Sequence, residues 1–213
     1  MSDEDTTLSE PGFRDRCPRR SDAAPRYPFR VKHPQEDNFG IALFSRFPID
    51  NPQLRPLAVP GLKMITGEFT LGSTPIAMAV AHPVPPAGRS LSALRNRQLV
   101  RLAEILREFE DREVILLGDL NTSPWSPSYY RLEASAGLRN GARGFGLFPT
   151  WPPGLPPLMI PLDHCWLSPG LRATSFEVGP RVGSDHLPVL VEIAPRPRRA
   201  REGDDYPIAR TTL

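Results

Sequence analysis

Short apolar runs along the chain predict a set of β-strands. Residues 39–45 form an apolar run bounded by polar positions, which is typical of a buried strand. Two apolar segments, residues 64–70 and 75–82, flank Gly72 and Ser73 and predict an antiparallel hairpin. Later apolar runs predict three further strands, over residues 113–118, 162–167 and 187–193.

Two segments have the periodicity of amphipathic helices. The longer one, residues 89–110, places seven apolar side chains on one face at about 100° per residue. Arg95 and Gln98 interrupt that face, so they either act at its N-terminal end or extend along its rim. The shorter helix, residues 129–136, follows a Ser-Pro pair at 126–127, which is suited to an N-cap and the first helical position. Helices and strands together predict a mixed α/β protein.

Composition divides the chain into a folded body and two tails. Hydrophobic residues make up 39% of the 213 residues, which is enough for one core, and the 27 prolines disfavour long helices. Residues 1–37 begin with acidic residues and continue rich in arginine and proline, which predicts a poorly ordered segment. Residues 195–213 form a second, arginine-rich tail. The predicted domain therefore spans residues 38–194.

Charge and cysteine content argue against several classes of function. The net charge is +2, from 26 basic and 24 acidic residues, so the chain lacks the strongly basic field of many nucleic-acid-binding proteins. Cys17 and Cys165 lie too far apart in sequence to indicate a zinc cluster or a disulfide scaffold. No run reaches the ~18 apolar residues of a membrane span and no export signal is recognisable, so we expect the chain as written to be cytoplasmic.

A carboxylate and a carboxamide follow the most apolar strand. Asp119 and Asn121 are two residues apart and would point to the same side of an extended chain. Together they offer a charged oxygen, a neutral oxygen and an amide donor, which suits Mg²⁺ and a phosphate oxygen. The same residue types are common in turns and helix caps, so a purely structural role remains an alternative.

Acid–imidazole pairs occur at two further strand ends. Asp185 and His186 precede the last predicted strand, where a metal ligand could lie beside a general base. Asp163 and His164 lie on the strand before it, and one of them could orient His186 through its other ring nitrogen. His82 ends the second strand of the hairpin. Taken singly, each of these could be an ordinary surface or structural residue.

Four motifs in a fixed order resemble the endonuclease/exonuclease/phosphatase superfamily. They are His-Pro-x-Pro-Pro from His82, Gly-Asp-Leu-Asn-Thr-Ser-Pro from Gly118, Leu-Asp-His from Leu162 and Gly-Ser-Asp-His from Gly183. That superfamily includes pancreatic deoxyribonuclease, abasic-site endonucleases, sphingomyelinases and inositol polyphosphate phosphatases. The resemblance covers roughly residues 39–193. It implies the family fold, a four-layer αββα sandwich of two mixed sheets with helices outside and the active site at one rim.

The resemblance also implies a role for each matching residue. His186 would be the catalytic histidine, and Asp163 the carboxylate that fixes its tautomer. Asp119 would hold or activate the attacking water, while Asn121 and His82 would contact the scissile phosphate. The reaction implied is metal-dependent hydrolysis of a phosphodiester or phosphomonoester bond by attack of water.

By the same resemblance the cofactor would be Mg²⁺ or Mn²⁺, held by Asp185, Asp119 and Asn121. Family members carry a further asparagine and a metal-binding glutamate in chain that precedes the strand at residues 39–45. Glu36 lies too close to that strand to match the glutamate. We therefore expect a fold that is incomplete on its N-terminal side, and a membrane anchor only if an N-terminal region is missing from the sequence.

Three functional hypotheses follow. In the first, the chain is an active phosphoesterase. In the second, it is a truncated and inactive family member that at most binds phosphorylated ligands. In the third, it is a module that binds such ligands without cleaving them. The expected partner is a phosphoester substrate, either nucleic acid, phospholipid or a small phosphoester, and no obligate protein partner is predicted. Trp125 and Trp151 could stack on a base or sugar of a substrate, or could simply pack against the protein.

Overall fold

The computed structural model describes residues 27–196 of the chain. Within this range, ten strands accompany two α-helices, α1 (Gly88–Arg107) and α2 (Pro127–Ala136). The strands are β1 (Phe29–His33), β2 (Ile41–Ser45), β3 (Asp50–Leu57), β4 (Val59–Leu71), β5 (Thr74–Val80), β6 (Glu113–Asp119), β7 (Arg139–Asn140), β8 (Asp163–Leu167), β9 (Leu171–Val178) and β10 (Val189–Pro195).

Six strands form a central mixed sheet in the order β3-β4-β5-β6-β8-β7. β4 and β5 form the predicted antiparallel hairpin, with Leu71 opposite Thr74 across the turn. β5 and β6 are parallel, and α1 supplies the crossover that a parallel pair requires. Because the crossover returns the chain to its starting edge, β5 and β6 both end at the same edge of the sheet. The antiparallel β8 begins at that edge.

α1 confirms the longest predicted helix, although it ends three residues earlier than predicted, at Arg107. Five apolar residues between positions 99 and 106 are buried on its inner face, and four of them occupy positions that the periodicity predicted. Arg95 and Gln98 are buried on the same face, so neither is a rim residue. No helix between residues 27 and 196 is both long and apolar enough to cross a membrane.

Side-chain alternation along the central strands builds a hydrophobic core on each face of the sheet. In β6, Val114 and Leu116 belong to the core beneath the two helices, whereas Ile115 and Leu117 belong to the core on the opposite face. Trp166 of β8 is fully buried in the helical core. β6 is therefore covered on both faces, as its continuous apolar run predicted.

Two antiparallel pairs, β1 with β2 and β9 with β10, cover the face opposite the helices. Val31 of β1 packs in one core with Ile65 of β4, and Phe176 of β9 packs in another with Ile115 of β6. The predicted mixed α/β class is confirmed. In the described range the second layer consists of these two separate pairs, whereas the family resemblance implied a second mixed sheet.

β1 corrects the predicted N-terminal boundary of the domain. It lies within residues 1–37, which were predicted to be poorly ordered, and it pairs along its whole length with β2. Only Val31 of its five residues is buried, so the strand carries too little apolar pattern to be recognised in sequence. The boundary at residue 38 therefore falls too late. Residues 1–26 and most of the predicted tail, residues 197–213, lie outside the described part of the chain.

Two further strands, β3 and β9, have no counterpart in the prediction. β3 contains Pro52 and Pro56, which disfavour strand structure in the middle of a sheet. It lies at an edge of the central sheet, where proline is tolerated because one row of backbone groups needs no partner. In β9 only Leu171 and Phe176 are buried, too sparse a pattern to indicate a strand.

The backbone conformation of Gly118, near the end of β6, leads to a prediction about stability. Its φ of 140° is strained for any L-residue, and a Cβ at this position would overlap the Ala81 carbonyl. Gly118→Ala should lower the free energy of unfolding by about 3 kcal/mol or more, measured by urea denaturation.

Gly72→Ala is the matched control. Gly72 has a φ of 63°, but an added methyl group would meet no atom within 4 Å. Its substitution should therefore cost only the left-handed backbone strain, about 1 kcal/mol. Equal losses in the two variants would show that the approach of Ala81 to Gly118 does not constrain the sheet.

Candidate active site

Strand topology brings three of the predicted site residues to one edge of the central sheet. His82 follows β5, Asp119 ends β6 and Asp163 begins β8. The β6–β8 register places Asp119 directly opposite Asp163, and the parallel β5–β6 pairing brings the end of β5 beside them. His186 lies just before β10 and reaches the same edge from the second layer.

His186 and Asp163 form a hydrogen-bonded pair. The Nδ1–H of His186 donates to Oδ2 of Asp163 at 2.7 Å, which leaves Nε2 turned toward Asp119, 3.7 Å from its Oδ2. The hydrogen bond to Asp163 raises the pKa of His186 above its ordinary value, and partial burial opposes it. The predicted pairing of Asp163, rather than His164, with His186 is the one found.

Asp119 is a largely buried carboxylate between two imidazoles. Its side chain is 14% exposed, and Oδ2 lies 3.5 Å from Nε2 of His82 as well as 3.7 Å from Nε2 of His186. Burial raises the pKa of Asp119 to about 6, and the negative charges of Asp163 and Asp185 act in the same direction. A carboxyl group with such a pKa can both accept and release a proton near neutrality.

His82 differs electrostatically from His186. Burial lowers the pKa of His82, and the nearby His186 lowers it further. The ring of Phe39 packs against His82 with 5.4 Å between the ring centroids. Asp37 is among the acids whose charge acts on His82, so the connection between β1 and β2 reaches the site. The sequence prediction missed Asp37 because it assigned this connection to the poorly ordered segment.

Asn121 is held in place on three sides. Its backbone has a φ of 48°, its N–H donates to Oδ1 of Asp119 at 2.9 Å, and its carbonyl accepts a hydrogen bond from Arg95. Its side-chain amide donates to the Pro83 carbonyl at 2.9 Å and to Oδ2 of Asp119 at 3.3 Å. Both amide hydrogens are therefore engaged, and the remaining Oδ1 is an acceptor, which suits a cation better than an ionised phosphate.

Asp185 lies at the same edge but is exposed. Its charge acts on the pKa values of His186, His82 and Asp119, and its Oδ1 accepts a long hydrogen bond of 3.5 Å from the hydroxyl of Ser184. Among residues 27–196, no group of three His, Cys, Asp or Glu side chains is arranged to hold a metal ion. The predicted metal ligands are thus near one another without forming a complete metal centre.

His164 belongs to the interior rather than to the site. It is buried, with Nε2 at 2.8 Å from the Thr122 carbonyl and Nδ1 at 3.0 Å from Nδ2 of Asn140. Since the Thr122 carbonyl can only accept and the Asn140 amide can donate, the ring is neutral with its proton on Nε2. His164 therefore fixes the loop that follows Asp119.

Thr150 joins the two segments that carry the His186–Asp163 pair. It is fully buried, and its hydroxyl oxygen accepts the N–H of Asp163 at 3.4 Å, while its carbonyl accepts the N–H of Leu187 at 3.0 Å. No pattern in the sequence singles out this residue, because threonine in a loop carries no signal of such contacts. The ring of its neighbour Trp151 is 38% exposed and lies 6.4 Å from the ring of His186.

One protein family matches most of this chain in sequence. The profile of the Endonuclease/Exonuclease/phosphatase family matches residues 5–186. Among curated protein sequences, none matches the chain significantly.

Solved structures share the fold at low sequence identity. The human Nocturnin catalytic domain with bound sulfate is 21% identical over 74% of this chain, with a TM-score of 0.60, and the chain covers 64% of that domain. An endonuclease/exonuclease/phosphatase from Bacteroides vulgatus is 15% identical over 81% of this chain and 78% of its own, with a TM-score of 0.66. Sphingomyelinase C from Streptomyces griseocarneus is 18% identical over 81% of this chain and 79% of its own, with a TM-score of 0.55.

The hydrogen bond between His186 and Asp163 predicts that a substitution of Asp163 changes the pKa of the His186 imidazole. Asp163→Asn removes the negative charge that stabilises the imidazolium, so the pKa of His186 should fall. NMR titration of the imidazole Cε1–H resonances would measure the change. Asp50→Asn, an exposed acid on the edge strand β3, is the control and should leave His186 unchanged. An unaltered titration in Asp163→Asn would contradict the assignment of the pair.

The raised pKa of Asp119 predicts how the free energy of unfolding varies with pH. Because the folded-state pKa of about 6 exceeds the reference value of 3.8, ionisation of Asp119 destabilises the fold as pH rises through 6. Asp119→Asn cannot ionise and should be more stable than the wild type by about 2 kcal/mol above pH 6, with the advantage gone below pH 4. Urea denaturation at several pH values would measure this difference. Asp111→Asn, at an exposed site, should show no such profile.

Proposed function

This chain belongs to the Endonuclease/Exonuclease/phosphatase family, and from that premise we propose that it hydrolyses phosphodiester or phosphomonoester bonds. The observation that carries the proposal is the line of three groups at the sheet edge. Asp163 is hydrogen-bonded to Nδ1 of His186, and Asp119 faces the other ring nitrogen of that histidine. An imidazole held by one carboxylate and facing a second is suited to moving protons during attack of water on phosphorus.

In the proposed reaction, water attacks phosphorus as the bond from phosphorus to the leaving oxygen breaks. Asp119, ionised above its pKa of about 6, accepts a proton from the water. His186 gives its Nε2 proton to the leaving oxygen. Asp163 stabilises the positive charge of His186 before that transfer and keeps the ring in the required orientation.

His82 is proposed to contact the scissile phosphate. Asn121 was predicted to contact it too, but both of its amide hydrogens are engaged, so its free Oδ1 is proposed instead as a cation ligand beside the phosphate. His82 is 3.5 Å from Asp119, and its lowered pKa favours the neutral imidazole, which can donate one hydrogen bond without adding charge. Asn121 is held rigidly beside Asp119 through the Pro83 carbonyl and the Asp119 carboxylate. Fixed side chains of this kind place a phosphate without reorganising when charge develops.

Mg²⁺ or Mn²⁺ is the proposed cofactor, and a divalent ion in such a site would neutralise phosphate charge. The predicted oxygen ligands are Asp119, Asn121 and Asp185, and among residues 27–196 no three acidic, histidine or cysteine side chains are arranged to hold a metal ion. The fit is therefore incomplete, and none of the steps above depends on the metal. This incompleteness favours a second candidate function, in which the chain binds phosphorylated ligands without cleaving them.

Hydrolysis of bis(p-nitrophenyl) phosphate tests the proposal. His186→Ala should reduce kcat at least about a hundredfold, because it removes the proposed proton donor. His33→Ala is the control, because His33 lies in β1 and its ring Nε2 is hydrogen-bonded to Nε2 of Gln35, at 3.2 Å, rather than to a residue of the site. The assay is run with EDTA, with Mg²⁺ and with Mn²⁺ to determine metal dependence.

The two candidate functions give different results in that assay. Turnover by the wild type that His186→Ala abolishes supports a phosphoesterase. Wild-type protein that binds inorganic phosphate but releases no p-nitrophenol under any metal condition supports the binding function and contradicts hydrolysis.

A further inference from the structure

Helix α1 carries a buried positive charge directly behind the proposed site. Arg95 is 6% exposed and lies on the inner face of α1, next to Leu99. Its guanidinium donates to the Asn121 carbonyl and, through Nε, to Oδ1 of Asn96 at 3.0 Å. Both acceptors are neutral, and no carboxylate among residues 27–196 forms an ion pair with Arg95. A buried charge is costly unless an opposite charge compensates it.

The contact with the Asn121 carbonyl connects this charge to the site from behind. Asn121 has a left-handed backbone conformation, which asparagine adopts more readily than most residues other than glycine. Its N–H is held by Asp119, its side chain by Pro83 and its carbonyl by Arg95. Arg95 therefore fixes the peptide group that follows Asn121 and, through it, the side chains beside Asp119.

Holding a backbone carbonyl does not by itself require an arginine. Gln98, one turn further along α1, is fully buried and shows what a neutral amide achieves in a comparable position. Its Nε2 donates to the Leu57 carbonyl at 3.3 Å, and its Oε1 accepts the N–H of Val84 at 2.8 Å. The positive charge of Arg95 therefore exceeds what positioning the Asn121 carbonyl demands.

We propose that Arg95 is a positioning residue of the phosphate site, and that the anion which compensates its buried charge is the bound phosphate group. Arg95 acts through Asn121 and supplies a fixed positive potential behind the position where the phosphate lies. The choice of phosphate as the anion rests on the proposed function. The burial of Arg95 and its contact with Asn121 do not.

Binding of inorganic phosphate, followed through backbone amide resonances near Asn121, tests this role without turnover. Arg95→Gln removes the charge but keeps an amide donor for the Asn121 carbonyl, and it should weaken phosphate binding about tenfold or more. Arg95→Lys keeps the charge and should restore most of the affinity. Arg97→Gln is the matched control, because Arg97 is an exposed arginine two positions away on the same helix.

Wild-type affinity in Arg95→Gln would overturn the proposal. An equal loss in Arg97→Gln would also overturn it, because the effect would then reflect overall charge rather than this buried position. A purely structural role predicts that Gln and Lys variants lose affinity according to their loss of stability, so rescue by lysine alone distinguishes the two.

A measurement on the wild type keeps the test independent of the variants' folding. The Nε–H resonance of Arg95 should shift when phosphate is added, and an unmoved resonance at saturating phosphate would contradict the proposal. The outcome is also separable from hydrolysis. Phosphate binding that depends on Arg95, without any turnover, would support this inference while rejecting the enzymatic function.

Discussion

The antiparallel register between β6 and β8 is the constraint on which the site depends. It places Asp119 opposite Asp163 at the edge where β5 and β6 end. Side chains alternate between the two faces of a strand, so a shift of one residue in β8 would present His164 where Asp163 now binds His186. The buried Trp166 and Cys165, which pack on opposite faces of β8, oppose such a shift.

Burial makes the charges at this edge depend on one another. Asp119 retains a proton up to a pKa of about 6, while the pKa of His186 is raised by Asp163 and that of His82 is lowered by burial. The two histidines are thus shifted in opposite directions at similar distances from one carboxylate. Arg95 adds a fixed positive charge on the far side of Asn121. Charged groups that are already fixed in place need not reorganise as charge develops on a reacting phosphoester, so this arrangement suits hydrolysis of an anionic ester.

Some elements of the fold could be predicted from the local sequence pattern, and others form only because of their tertiary contacts. α1 was recognisable because its buried residues recur with the helical period, and β6 because its apolar run is continuous. β1 and β3 were not, since one has a single buried residue and the other contains two prolines. β1 and β3 are strands because they pair with β2 and β4, respectively. Those neighbours supply backbone hydrogen bonds and packing that local sequence propensity does not reveal.

The sequence by itself determined which polar residues lie at strand ends, and its four motifs were sufficient to recognise the family. It also showed that Arg95 and Gln98 interrupt an apolar helical face, because that pattern is local. Only the tertiary structure decided that Arg95 is buried against Asn121 and that Thr150 joins the segments carrying Asp163 and His186. These contacts link residues 13 to 37 positions apart in the chain. They arise from strand register and layer packing, for which the identity of a residue and its immediate neighbours carries no signal.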